Sequence, residues 1–345
     1  MKDKDVYILG IESSCDETAA SIVKNGRESL SNIIYSQIEI HQPYGGVVPE
    51  VASRNHIKKI DIIVDKALEE SGLTLNDMDA VAVTYGPGLI GSLLVGLSFA
   101  KALSYSVDIP LLGINHIEGH ICANYINNYH VMPPFITLVA SGGHTNIVVV
   151  KDYGVYEVLG QTRDDAAGEA FDKISRSLDL GYPGGPAIDK AASKGDSSFI
   201  NFPRSYLEED CFDFSFSGLK SAVLNYLNTC KMKEIPIETN NIAASFQAAV
   251  IDVLASKVIK AALDTQISTI CLSGGVARNS LLRSTLGTMT SDLGLKLHFP
   301  EPDLCSDNAA MIASAGYFKF IKEEYSHFDL NAIANLKVKE PVDNI

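Results

Sequence analysis

The sequence predicts an α/β protein built from one structural unit used twice. Two observations carry this. Apolar runs of strand length alternate with stretches of helical periodicity along the chain. The order strand, turn, strand, strand, helix, then strand, Gly-rich turn, helix also begins once at residue 6 and again near Phe135.

In the first copy, Val6 to Ile11 is an apolar run of a central strand. The polar turn Glu12 to Thr18 follows, then strands at Ala19 to Val23 and around Ser31 to Ile38. Apolar positions at Ile57, Ile60, Ile63, Val64, Ala67 and Leu68 predict a helix over Val51 to Glu70. Strand Ala80 to Thr84 leads into the turn Tyr85 to Gly91. Leu89 to Leu103 reads as a buried helix, too short to span a bilayer. In the second copy, strand Phe135 to Ala140 meets the turn Ser141 to Thr145. Strands at Ile147 to Val150 and around Tyr156 come next, and helical pattern resumes near Asp165. Thr269 to Leu272 is a strand, followed by the turn Ser273 to Arg278 and a helix. Gly181 to Asp189 is a loop by composition. Asp213 to Lys220 suits a short strand, with Ser217 capping the next helix. The predicted boundaries are 1–131 for the first half and 132–307 for the second, which carries inserted helices. The segment 308–345, with a helix near Asn308 to Lys322, is expected to pack back onto the first half.

Composition narrows the function classes. Hydrophobic content of 46% and charged content of 20% describe an ordinary globular chain. A net charge of −14 argues against general nucleic-acid binding, because long-range attraction to phosphates is missing. Any RNA contact must come from a local basic patch or a partner. The six cysteines lie far apart with no Cys-x-x-Cys, which argues against a disulfide scaffold or a zinc ribbon. The N-terminal apolar run is too short for a signal peptide, so a cytoplasmic protein without a membrane span is expected.

His116 and His120 are the feature hardest to explain by packing. Positions i and i+4 share a helix face, so two imidazoles there can bind one divalent metal. Asp307, just before an apolar helix, has the ordinary role of an N-cap. It would also complete a ligand set that leaves metal positions open, suited to zinc or iron(II). A zinc peptidase needs His-Glu-x-x-His. Here Glu118 stands two along from His116, roughly 200° around the helix, and does not face such a metal.

Gly-rich turns after strands let backbone N–H groups approach an anion. Three occur, at 86–91, 141–143 and 274–275, and none matches the P-loop. Together they suggest a bound nucleotide. Asp164, Asp165, Glu169 and Asp172 form a carboxylate cluster, with the last three on one helix face. Either the cluster is a solvated face relieved by Lys173 and Arg176, or Asp172 and Asp189 accept hydrogen bonds from ribose hydroxyls.

Taken in order, the motifs resemble the TsaD family, the threonylcarbamoyl-transferring enzymes of tRNA modification, in the bacterial form. The carriers are Gly10-Ile-Glu-Ser-Ser-Cys-Asp-Glu-Thr18, Gly45 to Glu50, Gly86 to Leu89, His116-Ile-Glu-Gly-His120 and Ser141-Gly-Gly-His-Thr145. Gly168 to Lys173, Tyr182 to Pro186, Phe214 to Lys220, Gly274 to Asn279 and Asp307 to Ala310 extend the match over nearly the whole chain. The resemblance implies two duplicated actin-like (ribonuclease-H-like, ASKHA) halves around a nucleotide cleft. It implies one divalent metal per subunit, iron(II) ahead of zinc, on His116, His120 and Asp307. It implies substrate contacts at Val139, Ala140, Ser141, Gly142, Gly143, Asp172, Gly185, Asp189 and Asn279.

The implied reaction moves threonylcarbamoyl from threonylcarbamoyl-AMP to the exocyclic amine of the adenosine 3′ of the anticodon. The tRNAs concerned read codons starting with A. A TsaB-like paralogous subunit and a TsaE-like ATPase are the implied partners. An actin-like kinase of sugars or acids would share the halves and the Gly turns but would not need the metal ligands. A non-catalytic scaffold like the paralogous subunit would be expected to lack them.

Overall fold

A computed structural model describes residues 4–206 and 211–338. The chain divides into two units. The first comprises Met1–Pro133, Asp152–Tyr156 and Pro300–Ile345, and the second Pro134–Lys151 and Glu157–Phe299. Residues 339–345 of the expected C-terminal segment lie outside the described residues.

The first unit opens with β1 (Tyr7–Glu12), β2 (Glu17–Lys24) and β3 (Glu28–Ser36). Then come α1 (Ile38–His41), α2 (Pro49–Ser71), β4 (Ala80–Gly86), α3 (Ile90–Val107), β5 (Leu111–Asn115) and α4 (His116–Cys122). Its sheet has the order β3-β2-β1-β4-β5. β1 to β3 form an antiparallel meander, and β1, β4 and β5 run parallel. The parallel strands read as unbroken apolar runs because both faces are covered. Helix α2 starts with Pro49 at its first turn and stops where Gly72 takes a left-handed conformation, φ 70°. It lays Ile60, Ile63, Val64 and Ala67 against Leu9, Ile11 and Ile22 of the sheet.

The second unit contains β6 (Phe135–Ala140), β7 (Thr145–Asp152) and β8 (Val155–Gln161), with the hairpin tip 152–156 grouped with the first unit. It continues with α5 (Ala167–Ser177), α6 (Gly184–Ala192), α7 (Ser217–Met232), α8 (Thr239–Thr265), β9 (Thr269–Ser273), α9 (Ser280–Asp292) and β10 (Lys296–His298). Its sheet order, β10-β9-β6-β7-β8, is that of the first unit with each strand replaced by its counterpart. β6 pairs antiparallel with β7 and parallel with β9. Each unit therefore has the actin-like arrangement.

After the second unit the chain returns to the first through α10 (Pro302–Cys305) and α11 (Ala309–Phe320). Helix α11 lies on β1 so closely that a Cβ at Gly10 would run into the Ala309 carbonyl, and one at Gly316 would come within 2.6 Å of Ala82.

The structure corrects several expectations. The fifth strand of each sheet, β5 and β10, escaped the sequence reading. Strands of five and three residues give no alternation, and β5 is buried throughout. Gly181 to Asp189 is only in part a loop, since α6 begins at Gly184. Ser217 does not cap α7. The cap position is Phe216, and the carboxylate of Asp164 accepts hydrogen bonds from the Phe216 and Ser217 N–H groups and the Ser215 and Ser217 hydroxyls. Asp165 precedes α5 rather than sharing its face and pairs with Lys173 and Lys220. Only a third of α3 is buried, with Ile90, Leu94 and Tyr105 exposed. Helix α8, by contrast, is buried along most of its length.

Candidate active site

Strand β5 is wholly buried and delivers Asn115 to the start of α4. The Asn115 side chain accepts from the N–H groups of Ile117 at 2.9 Å and Glu118 at 3.4 Å, which starts the helix at His116. His116 and His120 thus come to one face, with ring centroids 4.6 Å apart. From the other side comes Asp307. Its expected ordinary role falls to its neighbour, since Asn308 caps α11 by accepting from Met311 N–H at 3.0 Å. Asp307 Oδ1 is left 3.4 Å from His116 Nε2 and 3.1 Å from His120 Nε2. One ligand atom from each of the three residues lies within 4.8 Å of the others.

The surroundings fit a cation. Both imidazoles are buried, and Nδ1 of His120 has no hydrogen-bond partner among the described residues while its Nε2 faces Asp307 Oδ1 at 3.1 Å. A buried donor or acceptor left in this state costs about 1–3 kcal/mol unless something binds it. His116 Nδ1 is 3.1 Å from Oε2 of the fully buried Glu12 and 3.2 Å from Ser14 Oγ. Glu12 is itself held by the Thr84 hydroxyl and the Ser14 N–H. A carboxylate behind a histidine fixes ring orientation and raises ligand basicity. Burial opposes charge on His116, yet Asp307 and Glu12 hold its imidazole well above its usual value. Burial likewise opposes charge on Asp307, and the imidazoles beside it hold its carboxyl well below the carboxylate range. Negative charge remains in excess. Burial, together with Asp16 and Asp307, pushes the Glu17 carboxyl well above its usual range. Two imidazoles and one carboxylate suit a divalent transition metal with open positions.

The second unit places its expected residues around the ends of β6 and β9. Val139 and Ala140 close β6 and are buried, and Val139 pairs with Ser273 of β9. Ser141 is buried, whereas Gly142 and Gly143 are exposed, and a Cβ on either would meet nothing within 4 Å. Gly185 and Gly275 are open in the same way. Their neighbours are closed. Gly274, at φ +85°, would drive a Cβ into the Ala140 carbonyl, and Gly184 would put one 2.5 Å from Asp172 Cα. Asp172 accepts from Gly184 N–H at 2.7 Å, on the first turn of α6.

Asp189 and Asn279 meet in one network. Asp189 accepts from Gln247 Nε2 at 3.1 Å, from Ser280 Oγ at 2.8 Å and from Ser280 N–H at 3.2 Å. Asn279 donates to Gln247 Oε1 at 3.2 Å and caps α9 through Leu282 N–H at 3.0 Å. Sequence reasoning missed Glu12, Asn115, Gln247 and Ser280. Glu12 alone carried a signal, as an acid ending an apolar strand.

The profile of the family described as TsaD, tRNA N6-adenosine threonylcarbamoyltransferase, matches residues 28–314. A protein of that name from Clostridioides difficile (strain 630) is 60% identical over 97% of this chain and 99% of its own length. One from Clostridium perfringens (strain ATCC 13124) is 57% identical over 98% and 99%. Among solved structures, full-length HypF in its phosphate- and nucleotide-bound form aligns with TM-score 0.62 at 15% identity, over 93% of this chain and 47% of that one. Component A of the (R)-2-hydroxyglutaryl-CoA dehydratase of Acidaminococcus fermentans aligns with TM-score 0.52 at 16% identity, over 91% and 98%. These two share the fold, and the two clostridial sequences share far more than the fold. With a majority of residues identical to theirs over almost all of both lengths, the chain belongs to the TsaD family.

Proposed function

We propose that this chain transfers the threonylcarbamoyl group of threonylcarbamoyl-AMP to the exocyclic amine of an adenosine in tRNA, releasing AMP. The acceptor is the adenosine 3′ of the anticodon in tRNAs that read codons starting with A. The observation that carries the reading is the convergence of buried His116 and His120 with partly buried Asp307 in a chain of this family.

His116, His120 and Asp307 would hold one divalent ion, iron(II) ahead of zinc. Such an ion supplies a Lewis acid for the threonylcarbamoyl end. Glu12 keeps the His116 ring turned so that Nε2 faces Asp307. In the second unit the exposed backbone of Gly142 and Gly143 offers N–H groups to the adenylate phosphate, whose negative charge grows as it leaves. Asp172, Gly185, Asp189 and Asn279 of the second unit would contact the nucleoside. A ribose hydroxyl reaching Asp189 takes the place of the exposed Ser280 hydroxyl. The amine nitrogen bonds to the carbamoyl carbon and gives up one proton to solvent, the mixed-anhydride C–O bond breaks, and its electron pair leaves with AMP. Holding the adenylate in place lowers the barrier by positioning.

At a net charge of −14 the chain alone binds tRNA weakly and in a salt-sensitive manner. A TsaB-like subunit and a TsaE-like ATPase supply the rest of the tRNA affinity, in the cytoplasm. The test is a nucleoside mass spectrum of tRNA from cells whose only copy is wild type, His116→Ala or Asp307→Ala. Loss of threonylcarbamoyl-adenosine in both variants at normal protein level is the expected result. Persistence in both would make the histidines structural and reopen the kinase and scaffold readings.

A further inference from the structure

We propose that Glu118 and Lys319 form a positioning pair that sets how α4 presents its two histidines to Asp307, and so tunes metal affinity. The proposal rests on the metal reading above. Glu118 lies between the histidines in sequence but points away from the face they share. Its side chain is about 10% exposed, and its two oxygens are engaged separately. Oε1 accepts from the Tyr156 hydroxyl at 3.3 Å, and Oε2 lies 3.5 Å from Lys319 Nζ.

Lys319 belongs to the last turn of α11, the helix that follows Asp307. Its ammonium also donates to the Gly113 carbonyl at 2.8 Å, in the strand that leads into α4. One cation from the Asp307 side therefore grips both the approach to α4 and its back. A second contact acts beside it. Gly119 faces α11, where a Cβ would come within 2.7 Å of Ile312 Cδ1.

The need for such a grip follows from length. Helix α4 has seven residues, and so short a helix has too few hydrogen bonds of its own to hold its orientation. Behind it lies a cavity of about 70 Å³, bordered by Glu118, Tyr156, Lys319 and Lys322. The cavity leaves that side of the helix incompletely filled, and the ion pair and the Tyr156 hydroxyl brace it there. A roll of the helix by a few degrees moves both imidazoles relative to Asp307.

The experiment is calorimetric titration of the metal-stripped full-length protein with Co(II), with the visible spectrum of the bound ion recorded alongside. Wild type is expected to bind one ion and His116→Ala none. Absence of a site in wild type would sink the metal reading, and this proposal with it, before any other variant is measured. Given a wild-type site, Glu118→Gln, which keeps the shape, and Lys319→Met are each expected to weaken Kd about 10- to 100-fold. Both should alter the Co(II) spectrum. The double variant should be little worse than the weaker single one, because the two side chains act as a unit. Lys319→Arg should recover most of the affinity. Lys322 borders the same cavity but donates to the Tyr153 carbonyl, so Lys322→Met should leave Kd unchanged. The proposal is overturned if Glu118→Gln and Lys319→Met lower the melting temperature while Kd and spectrum stay as in wild type. It is equally overturned if Lys322→Met weakens Kd as much as they do.

Discussion

At the end of β1 the chain continues as Glu12-Ser-Ser, and at the end of the matching strand β6 as Ser141-Gly-Gly. The first sequence puts a buried carboxylate behind His116, while the second leaves bare backbone open to solvent. The carboxylates differ in the same sense. In the second unit Asp164, Asp165, Asp172 and Asp189 accept from N–H, O–H or ammonium donors of the protein. In the first unit Asp307 faces two imidazoles and leaves helix capping to Asn308. Under the proposed function, one strand order would thus serve two chemistries. Side chains converge where the proposed cation would be held, and backbone is exposed where the proposed phosphate would be held. Topology supplies equivalent strand ends, and the residues placed there decide what binds.

The largest expected effect tests the first half of this contrast. Asp307→Ala should lower threonylcarbamoyl transfer by about three orders of magnitude, equivalent to the several kcal/mol that a Lewis acid supplies. Melting temperature should change little, since Asp307 caps no helix. Transfer that stays within tenfold of wild type, in a reconstituted assay with tRNA, would remove the metal from the argument.

Next comes the seat of α11. Gly10→Ala pushes a methyl group into the Ala309 carbonyl, a backbone atom that cannot rotate away. Overpacking of this kind costs about 1–3 kcal/mol. Because Ala309 is two residues from Asp307, Co(II) affinity should fall with stability. Stability loss with unchanged metal affinity would show that the first-unit site does not depend on how α11 is docked.

Gly142→Val probes the backbone half. A side chain at Gly142 meets nothing in the protein, so stability should hold within about 0.5 kcal/mol. The added bulk stands where a phosphate would approach, and affinity for a non-hydrolysable adenylate should drop about tenfold, or roughly 1.4 kcal/mol. Equal binding by both proteins would place the phosphate elsewhere.

The parts of this arrangement that sequence exposed are those with local signatures. His116 and His120 are four apart on one helix, and Asp307 borders another helix, so each could be named from its neighbours alone. The Gly turns were equally plain. Glu12 was not, because its partner His116 is 104 residues away and nothing local links them. Gln247 joins Asp189 and Asn279 from the middle of α8, where it looks like one polar residue in an apolar helix. Asp164 was seen as part of an acidic cluster, but its four donors lie more than 50 residues further on.

Asp164 therefore provides the smallest prediction, a test of whether this carboxylate, unlike the proposed nucleoside contacts Asp172 and Asp189, serves the fold alone. It caps α7 from outside the helix, and Asp164→Ala removes that cap at a cost of about 1 kcal/mol. The dependence on pH follows from its environment. Burial would raise its pKa, but the Ser215 and Ser217 hydroxyls and the Phe216 and Ser217 N–H groups prevail and hold the carboxyl below its ordinary range. A carboxyl depressed in the folded state stabilises the fold above its unfolded pKa of about 3.9, and the benefit fades as pH falls through the folded value. Wild type and Asp164→Ala should thus differ fully at pH 7, and the gap should shrink below about pH 4. Transfer activity at pH 7 should be unchanged once both proteins are folded. An activity loss with no stability change would place Asp164 among the groups that touch substrate, and the division between the two units would no longer hold for it.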